Sequence, residues 1–289
     1  MDSKDFQLLV ALHENARQSY RALGRRVSLS APAARDRLRN LESRGVIQGY
    51  WTYVIPSAFD RDDLLVFFKG EWTREDALKA LAAPDVAFVA WKLDGGLTVQ
   101  VWPRDRKQPI KDLTLVLRAR PSGQAFAERR NHRPLTTLDW RIVDALIDDP
   151  RIPLKDLTES TGLSPKTVRK HLELMVEGET IFIMPRLGAL SDSGELAYTM
   201  AVFGRVGMGE LRKIMGDVFL IGETSDPPAR YLLCRGSDLG DVTTKTRVLG
   251  KLPGVDSVTV TLNRELLVAT EFVHSLVRER IQDLEKARR

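Results

Sequence analysis

The chain has 289 residues, of which 43% are hydrophobic and 29% charged, and this composition is typical of an ordinary soluble globular protein with two or more domains. Its one cysteine, Cys234, excludes an internal disulfide and a zinc site built from thiolates alone, and no apolar run approaches the roughly 20 residues of a membrane helix. Without a signal-peptide pattern we expect a cytoplasmic protein, and the net charge of +5 is compatible with a nucleic-acid partner.

The beginning of the chain recurs 134 residues further on. Ser30 aligns with Ser164, since 164 − 30 = 134, and the same shift places Asp5 on Asp139. Apolar residues then fall on apolar residues at nearly every predicted core position, without a gap over roughly 45 residues. The chain therefore contains two copies of one structural unit.

Each copy predicts three helices followed by a short strand. In the first copy, residues 5–12 and 20–27 have apolar residues at helical spacing. Ser30 is a favourable N-cap for a third helix, because its hydroxyl can accept from the first free backbone N–H groups. The residues that this helix is expected to bury are Ala34, Leu38 and Leu41. An extended segment after Gly45 resembles a β-wing, and this order is typical of a winged helix-turn-helix.

The same shift continues into a second type of unit. LLVFFKG, which begins at Leu64, aligns with YTMAVFG, which begins at Tyr198, and both are strand-like. A helix, two strands, a second helix and a last strand follow in each copy, and the order β-α-β-β-α-β is the ferredoxin-like pattern. A polar linker, ERRNHRPLTT from Glu128, separates the two halves.

The predicted fold class is α+β, with two winged helix-turn-helix domains that alternate with two ferredoxin-like βαββαβ domains. The predicted winged helix-turn-helix domains cover residues 1–58 and 135–190, and the ferredoxin-like domains cover residues 62–130 and 195–265. Residues 266–289 are predicted to form a C-terminal amphipathic helix.

These motifs resemble a known family. The order Asp-x3-Leu-x2-Leu from Asp5, the Leu-Ser turn before the third helix and GVIQGY from Gly45 are similar to the Lrp/AsnC transcription regulators of bacteria and archaea. The resemblance covers almost the whole chain, as two tandem copies of what is usually one subunit. It implies that the winged helices bind double-stranded DNA. It also implies that the βαββαβ domains pair subunits and often hold a small effector, commonly an amino acid.

The outward side chains at the start of each third helix are the predicted DNA contacts, because a recognition helix enters the major groove by this end. Arg and Lys suit guanine edges and phosphates, and Thr suits phosphates or a thymine methyl. Arg35 and Arg169 occupy the same place in both copies, which favours function over a merely solvated helix face. The predicted DNA-binding residues are Ser30, Pro32, Arg35, Arg37, Arg39, Ser164, Lys166, Thr167, Arg169 and Lys170.

The two copies differ in charge. Residues 1–60 contain nine Lys/Arg and six Asp/Glu, a net charge of +3, whereas residues 135–190 contain seven and nine, a net charge of −2. Because charge dominates phosphate binding, we expect both copies to touch DNA with the first dominant. The preferred DNA site should then be asymmetric.

Two turns are candidates for an effector site, whose residues the sequence leaves unknown. KLDGGL from Lys92 and ETSDPPAR from Glu223 each separate two predicted strands of a ferredoxin-like unit. They differ from each other, and Asp-Gly is also a strong hairpin signal without any ligand. A hairpin turn is therefore the simpler interpretation.

An enzyme has to be weighed because a related group with this domain order decarboxylates sirohaem, and its members resemble one another in a His-rich strand segment. The corresponding strands here, VAFVAWKLDGG and VFLIGETSD, contain no histidine. General acid–base catalysis needs groups that converge in one pocket, and the histidines are not expected to meet on the sheet. The four histidines are His13, His132, His171 and His274. We predict no enzyme, no cofactor and no metal site.

A protein-interaction module without DNA binding is the remaining alternative. Tyr50, Trp51 and Tyr53 would then form a contact surface, although packing of the wing on the helices explains them as well. For a regulator, two copies in one chain predict an internal pseudo-dimer, or a homodimer, through the βαββαβ sheets. The last helix either joins two chains or packs on its own sheet.

Overall fold

The computed structural model describes residues 1–188 and 196–286. The predicted domain limits at residues 190 and 195 lie outside the described residues, as do the last three residues of the predicted C-terminal helix. In the described part the chain alternates two three-helix units with two antiparallel sheets that carry helices. This is the α+β architecture expected from the sequence.

The first three-helix unit, called head 1, consists of α1 (Ser3–Glu14), α2 (Tyr20–Arg26) and α3 (Ala31–Ser43). A capping box starts α1, in which Asp2 and Asp5 each accept a hydrogen bond from the other's backbone N–H. The predicted inward residues of α3, Ala34, Leu38 and Leu41, are all buried. Strand β1 (Ile47–Val54) follows, and a 3-10 helix (Pro56–Phe59) leads into the first sheet.

The first sheet is built in the order β-α-β-β-α-β. Its elements are β2 (Asp63–Phe68), α4 (Arg74–Leu81), β3 (Val86–Lys92), β4 (Leu97–Val101), α5 (Gln108–Leu117) and β5 (Gly123–Ala127). The strands lie side by side in the order β3-β4-β2-β5. The helices cover one face, where alternate residues of β2 and β4 are buried against α4 and α5.

Head 2 repeats head 1 after the linker. It consists of α6 (Thr137–Asp148), α7 (Leu154–Thr161) and α8 (Pro165–Glu177). Thr136 and Asp139 form the capping box of α6 at the positions of Asp2 and Asp5, since 2 + 134 = 136 and 5 + 134 = 139. Strand β6 (Ile181–Leu187) follows α8 as β1 follows α3.

The second sheet has the same element order as the first. Its elements are β7 (Leu196–Gly204), α9 (Met208–Met215), β8 (Val218–Ser225), β9 (Pro228–Gly236), α10 (Leu239–Leu249) and β10 (Val255–Thr261). The strand order β10-β7-β9-β8 is the order of the first sheet read from its β5 edge. Both sheets therefore have the ferredoxin-like topology.

The C-terminal segment differs from the prediction in one respect. Residues 263–268 form a strand, β11 (Asn263–Val268), that pairs antiparallel with β3 of the first sheet, and only then does α11 (Thr270–Lys286) begin. The prediction of helix from residue 266 was wrong, because the apolar run Leu266–Val268 fits a strand as well as a helix and the free edge of β3 decides between them. The second half of the chain thus completes the sheet of the first half.

The predicted wings pair with each other. β1 and β6 form a two-stranded antiparallel ladder in which Tyr50 faces Pro185 and Trp51 faces Met184. Since 50 + 134 = 184 and 51 + 134 = 185, the ladder has an approximate twofold symmetry about its centre. Each strand provides the hydrogen-bonding partners that the other lacks, so the two heads are joined by backbone hydrogen bonds.

One hydrophobic core unites both heads, the ladder and α11. Trp102 and Trp140 are buried in it, and Phe59 packs between them with ring centroids 6.2 and 5.2 Å away. The two sheets have separate cores beneath their own helices. Within residues 1–188 and 196–286, every helix is too short or too polar to cross a lipid bilayer.

Candidate nucleic-acid interface

The two predicted recognition helices begin in the same way. The N–H of Ala33 donates to Ser30 Oγ at 3.2 Å, and the N–H of Thr167 donates to Ser164 Oγ at 3.1 Å. Both serines are exposed N-caps, as predicted, and a proline in the first turn of each helix needs no hydrogen bond from its nitrogen. The two helices therefore present their N-terminal turns to solvent in equivalent form.

The outward face of α3 carries Pro32, Arg35 and Arg39, all of which are exposed. Arg35 Nε lies 3.2 Å from the carboxylate of the adjacent Asp36, and both side chains are open to solvent. Such an exposed ion pair contributes little, so the Arg35 guanidinium stays available to a phosphate or a base. Arg39 forms no ion pair with any residue in the described part of the chain.

Arg37 forms two ion pairs within head 1. Its guanidinium donates to Asp2 at 2.7 Å and to Asp5 at 2.8 Å, at the start of α1. Burial by itself raises the pKa of Asp2, but the Asp5 N–H and Arg37 outweigh it and leave the Asp2 pKa below its usual value. The two carboxylates hold this arginine so that it fastens α3 on α1, and its contact with DNA stays a prediction.

The outward face of α8 is more uniformly basic than that of α3. Lys166, Arg169 and Lys170 are exposed, and none forms an ion pair with another described residue. Thr167 is half-buried, and its Oγ1 lies 2.8 Å from Ser164 Oγ, so its hydroxyl belongs to the cap. Three cations in the first turns of one helix form a surface suited to an acidic partner.

Head 2 fastens its recognition helix at the same place as head 1. His171 is the counterpart of Arg37, since 37 + 134 = 171, and its Nδ1 lies 2.8 Å from Asp139 Oδ1. Arg133, from the linker, donates to both oxygens of Asp139 at 2.8 and 2.9 Å. Burial raises the pKa of Asp139, but the hydrogen bonds from Arg133, Thr136 and His171 outweigh it and lower the pKa to about 2.

Helix α2 adds a basic edge that the sequence prediction missed. Arg21 and Arg25 are exposed on α2, which packs directly against α3, and neither forms an ion pair within the described residues. In head 2 the equivalent positions are Lys155 and Glu159, because 21 + 134 = 155 and 25 + 134 = 159. Comparing the charges of the second helix alone between the two copies would have revealed this edge, whereas the net charge of each whole domain does not.

The two candidate effector turns differ in their packing. In the first sheet, Gly95 O accepts from the Trp72 N–H at 2.9 Å, and a side chain at Gly95 would lie 2.9 Å from Gly70 O. In the second sheet the equivalent place is an open cleft of about 340 Å3, lined by residues 204–207 and by both arms of the β8–β9 hairpin. Three charged residues line it, Arg205, Glu223 and Arg230, and the last two are paired with each other at 2.7 Å.

The histidines are dispersed. His13 is buried under head 1, His132 lies in the linker, His171 lies on α8 and His274 on α11. Within residues 1–188 and 196–286, no group of three or more His, Cys, Asp or Glu residues is arranged to hold a metal ion.

Comparison with known proteins agrees with this geometry. Residues 1–42 match the AsnC-type helix-turn-helix domain, and residues 135–181 match a winged helix-turn-helix DNA-binding family. The chain is similar to Lrp/AsnC regulators over part of its length. It is 28% identical over 97 residues to the HTH-type transcriptional regulator LrpB of Bacillus subtilis, which covers 33% of the chain and 65% of that protein.

A second similar protein is the leucine-responsive regulatory protein of Rhizobium meliloti. It is 34% identical over 100 residues, covering 33% of the chain and 64% of the relative. The chain thus spans a little under two thirds of the length of these curated relatives. Over its full length the chain is similar in fold to the sirohaem decarboxylase NirDL, with a TM-score of 0.50, 14% identity and coverage of 97% of the chain and 99% of that structure.

Proposed function

We propose that the protein is a sequence-specific, DNA-binding transcription regulator that reads double-stranded DNA with both heads. One observation carries the proposal: α3 and α8 are both N-capped at a serine and expose basic side chains at equivalent outward positions. A recognition helix of a helix-turn-helix contacts base edges with these N-terminal residues. The homology to Lrp/AsnC regulators supports the same function.

The residues divide into base-reading and phosphate-binding groups in this proposal. Arg35 and Arg169 reach base edges, for which a guanidinium suits the O6 and N7 acceptors of guanine. Arg39, Lys166 and Lys170 bind phosphates. Ser30, Ser164 and Thr167 lie at the helix N-termini, where backbone N–H groups and hydroxyls bind phosphates. Pro32, which has no N–H group, makes an apolar contact beside them.

We infer that the chain acts as an internal pseudo-dimer in the cytoplasm, where its DNA partner is. Two contacts support internal pairing: the β1–β6 ladder between the heads and the antiparallel Phe126–Asp226 bridge between the edges of the two sheets. Half-sites about 34–36 Å apart, or a multiple, follow if both heads contact one face of the DNA. Since the outward residues of α3 and α8 differ, the two half-sites should differ in sequence.

We propose that the protein works without catalysing a reaction. The sirohaem decarboxylase likeness concerns the fold, and function depends on the residues of a site. The histidines are spread over α1, the linker, α8 and α11, so they form no common acid–base centre in the described chain. A tetrapyrrole absorbance band on the purified protein would contradict this proposal.

The second-sheet cleft is the place where we would look for a small-molecule effector. Amino acids are the first ligands to test by thermal shift, with Arg230→Ala as the variant that opens the Glu223 pair. A rise in the melting midpoint that this variant abolishes would establish an effector site at the cleft. Equal shifts in both proteins would place any binding elsewhere.

The experiment that tests the function is binding of the full chain to sheared genomic DNA over a series of salt concentrations, with sequencing of the retained fragments. We expect a steep negative slope of log affinity against log salt and an enriched, asymmetric motif. Arg35→Ala and Arg169→Ala should each relax one half of the motif, at a cost of about 1–3 kcal/mol per base contact. A steep slope without a motif, or no binding at low salt, would overturn the proposal.

A further inference from the structure

Two loops of the heads meet directly. Residues 15–19 connect α1 to α2, and residues 149–153 are the equivalent connection in head 2. The guanidinium of Arg17 crosses between them and donates to Pro150 O at 3.0 Å and to Ile152 O at 2.8 Å. The side chain is half-buried, and this burial lowers its pKa while the facing Asp149 opposes the change. A buried, doubly bonded guanidinium is a specific contact rather than a mobile surface group.

The equivalent arginine of head 2 reaches back into the first half of the chain. Arg151 is the counterpart of Arg17, since 17 + 134 = 151, and its guanidinium lies 4.5 Å from the ring centroid of Tyr50 and 6.0 Å from that of Tyr20. It is also 4.0 Å from Glu42, to which the Tyr50 hydroxyl donates at 2.9 Å. Each arginine therefore contacts the other half, and we call this pair of contacts the head clasp.

A two-stranded ladder alone does not fix the angle between the heads. Two-stranded ribbons vary more in twist than wider sheets, and the β1–β6 ribbon lies in the hydrophobic core that both heads share. Because apolar packing is non-directional, hydrogen bonds beside the ribbon are what select one twist. The planar fork of Arg17, bonded to two carbonyls of one turn, restricts both the distance and the rotation of head 2.

We propose that the head clasp, through Arg17, sets the separation and angle of α3 and α8, and thereby the spacing of the two DNA half-sites that the protein accepts. Arg17 is a positioning residue here, because it acts through the backbone carbonyls of head 2. The predicted effect on half-site spacing rests on the proposed function. The distance between the two heads can be measured without DNA.

The deciding measurement is the distance between spin labels on the two recognition helices of the full chain. Asn40→Cys and Leu174→Cys place labels at exposed, equivalent positions, since 40 + 134 = 174, and the native Cys234 is buried and stays unlabelled. Pulsed EPR should give one narrow distance distribution. Arg17→Ala should widen it by about twofold, because the ribbon then samples its range of twist.

Two further variants make the result specific. Arg17→Lys keeps the positive charge but cannot bond both carbonyls with one planar fork, so it should also widen the distribution, and it serves if Arg17→Ala does not fold. Arg25→Ala removes an exposed arginine of head 1 that has no contact with head 2, and it should leave the distribution unchanged. A distribution as narrow in Arg17→Lys as in the parent would overturn the proposal.

A second measurement connects the clasp to DNA. On a fragment retained in the sequencing experiment, 5 base pairs are inserted between the half-sites, which turns one site by about half a helical turn. The parent should lose about tenfold in affinity, and Arg17→Lys about threefold or less. Equal losses would refute the role in spacing. If the parent retains no DNA at all, the proposed function fails, while the label distances still decide whether the clasp positions the heads.

Discussion

The carboxylate of Asp139 is fully buried and accepts hydrogen bonds from Arg133, Thr136 and His171. Asp139→Asn keeps the shape of the side chain but removes the charge that these donors surround. We expect the free energy of unfolding to fall by about 3 kcal/mol, because breaking a buried ion pair leaves its partners uncompensated. Asp5→Asn, the matched change in head 1, should cost less, since among the described residues Asp5 pairs with one cation, Arg37.

The pH dependence of this effect has a definite sign. The pKa of Asp139 is lowered to about 2 in the folded protein, below the roughly 3.9 of an unfolded Asp. The stabilisation is therefore complete above pH 4 and is lost as the pH falls from about 4 to 2. Acid titrations followed by circular dichroism should show this loss in the parent and its absence in Asp139→Asn. Parallel titration curves would contradict the assignment.

His13 predicts a second pH effect, at the contact between head 1 and the second sheet. Its ring is buried and stacks on Phe219 with centroids 4.1 Å apart, and burial lowers its pKa to about 3. The unfolded chain binds a proton at His13 below about pH 6.5, whereas the folded chain does not, so stability falls as the pH drops below 6.5. Between pH 7 and pH 5 the loss amounts to about 2 kcal/mol.

His13→Leu removes this titration and should flatten the stability profile between pH 7 and pH 5, as measured by urea denaturation. Phe219→Leu is the matched control, because it weakens the stacking contact but leaves the titrating group in place. It should lower stability at every pH and retain the slope of the parent. A slope in His13→Leu equal to that of the parent would assign the acid sensitivity to other groups.

Periodicity in the sequence predicted the face of each residue, but not its partner. The spacing of Ala34, Leu38 and Leu41 correctly predicted the buried stripe of α3. Arg37 lies at the border of that stripe, and only the position of the α1 N-terminus in space assigns it to Asp2 and Asp5. The ten predicted contacts remain predictions, and Arg37 among them also joins α3 to α1.

At the scale of elements, apolar spacing and turn residues correctly predicted the helices and the strands of both sheets, because both signals are local. They did not predict two of the strand pairings. The wing strands β1 and β6 pair with each other across 134 residues, and β11 joins the sheet of the first half. Strand partners are chosen by free edges that only the folded chain brings together, so no local pattern contains this information.

The junction between the ladder and head 2 provides an element-scale prediction. Thr52 is buried on β1, and its Oγ1 donates at 2.6 Å to Leu146 O, in the last turn of α6, where carbonyls have no partner within the helix. Thr52→Val preserves the shape and removes the donor, so we expect unfolding to become easier by about 1–2 kcal/mol. Thr158→Val is the control, because its hydroxyl bonds an exposed carbonyl within α7. Equal costs in calorimetry would show that the junction contributes nothing.

At the scale of the whole molecule, the duplication produces two heads that are held in one frame but differ in charge. The ladder, the shared core and the head clasp all cross between the halves. The outward residues of α3 and α8 are free of this constraint and differ. The two heads are therefore held in one relative position but carry different residues on the outward faces of α3 and α8. The proposed reading of an asymmetric DNA site needs this combination.

The unequal charge predicts how binding depends on salt. Each phosphate contact contributes about 0.9 to the slope of log affinity against log salt. Arg21→Ala with Arg25→Ala should reduce the slope by about 1.8, if the α2 edge of head 1 lies on the DNA backbone. Lys155→Ala in head 2 should reduce the slope by less than about 0.9, because the neighbouring Glu159 repels phosphate and weakens any contact that Lys155 makes. Filter binding over a salt series measures both slopes.

Glu159→Arg tests the same idea by a gain of binding, because it gives head 2 the arginine that head 1 has at the equivalent position, Arg25. If α7 faces the DNA backbone as α2 does, this variant should gain about one phosphate contact and steepen the slope by about 0.9. Arg118→Ala removes one positive charge at an exposed position after α5, outside both heads, and it should leave the slope unchanged. A slope that follows net charge in all of these variants would mean that binding is a bulk electrostatic effect. A slope that responds only to the α2 and α7 positions would assign the phosphate contacts to the two heads, with head 1 dominant.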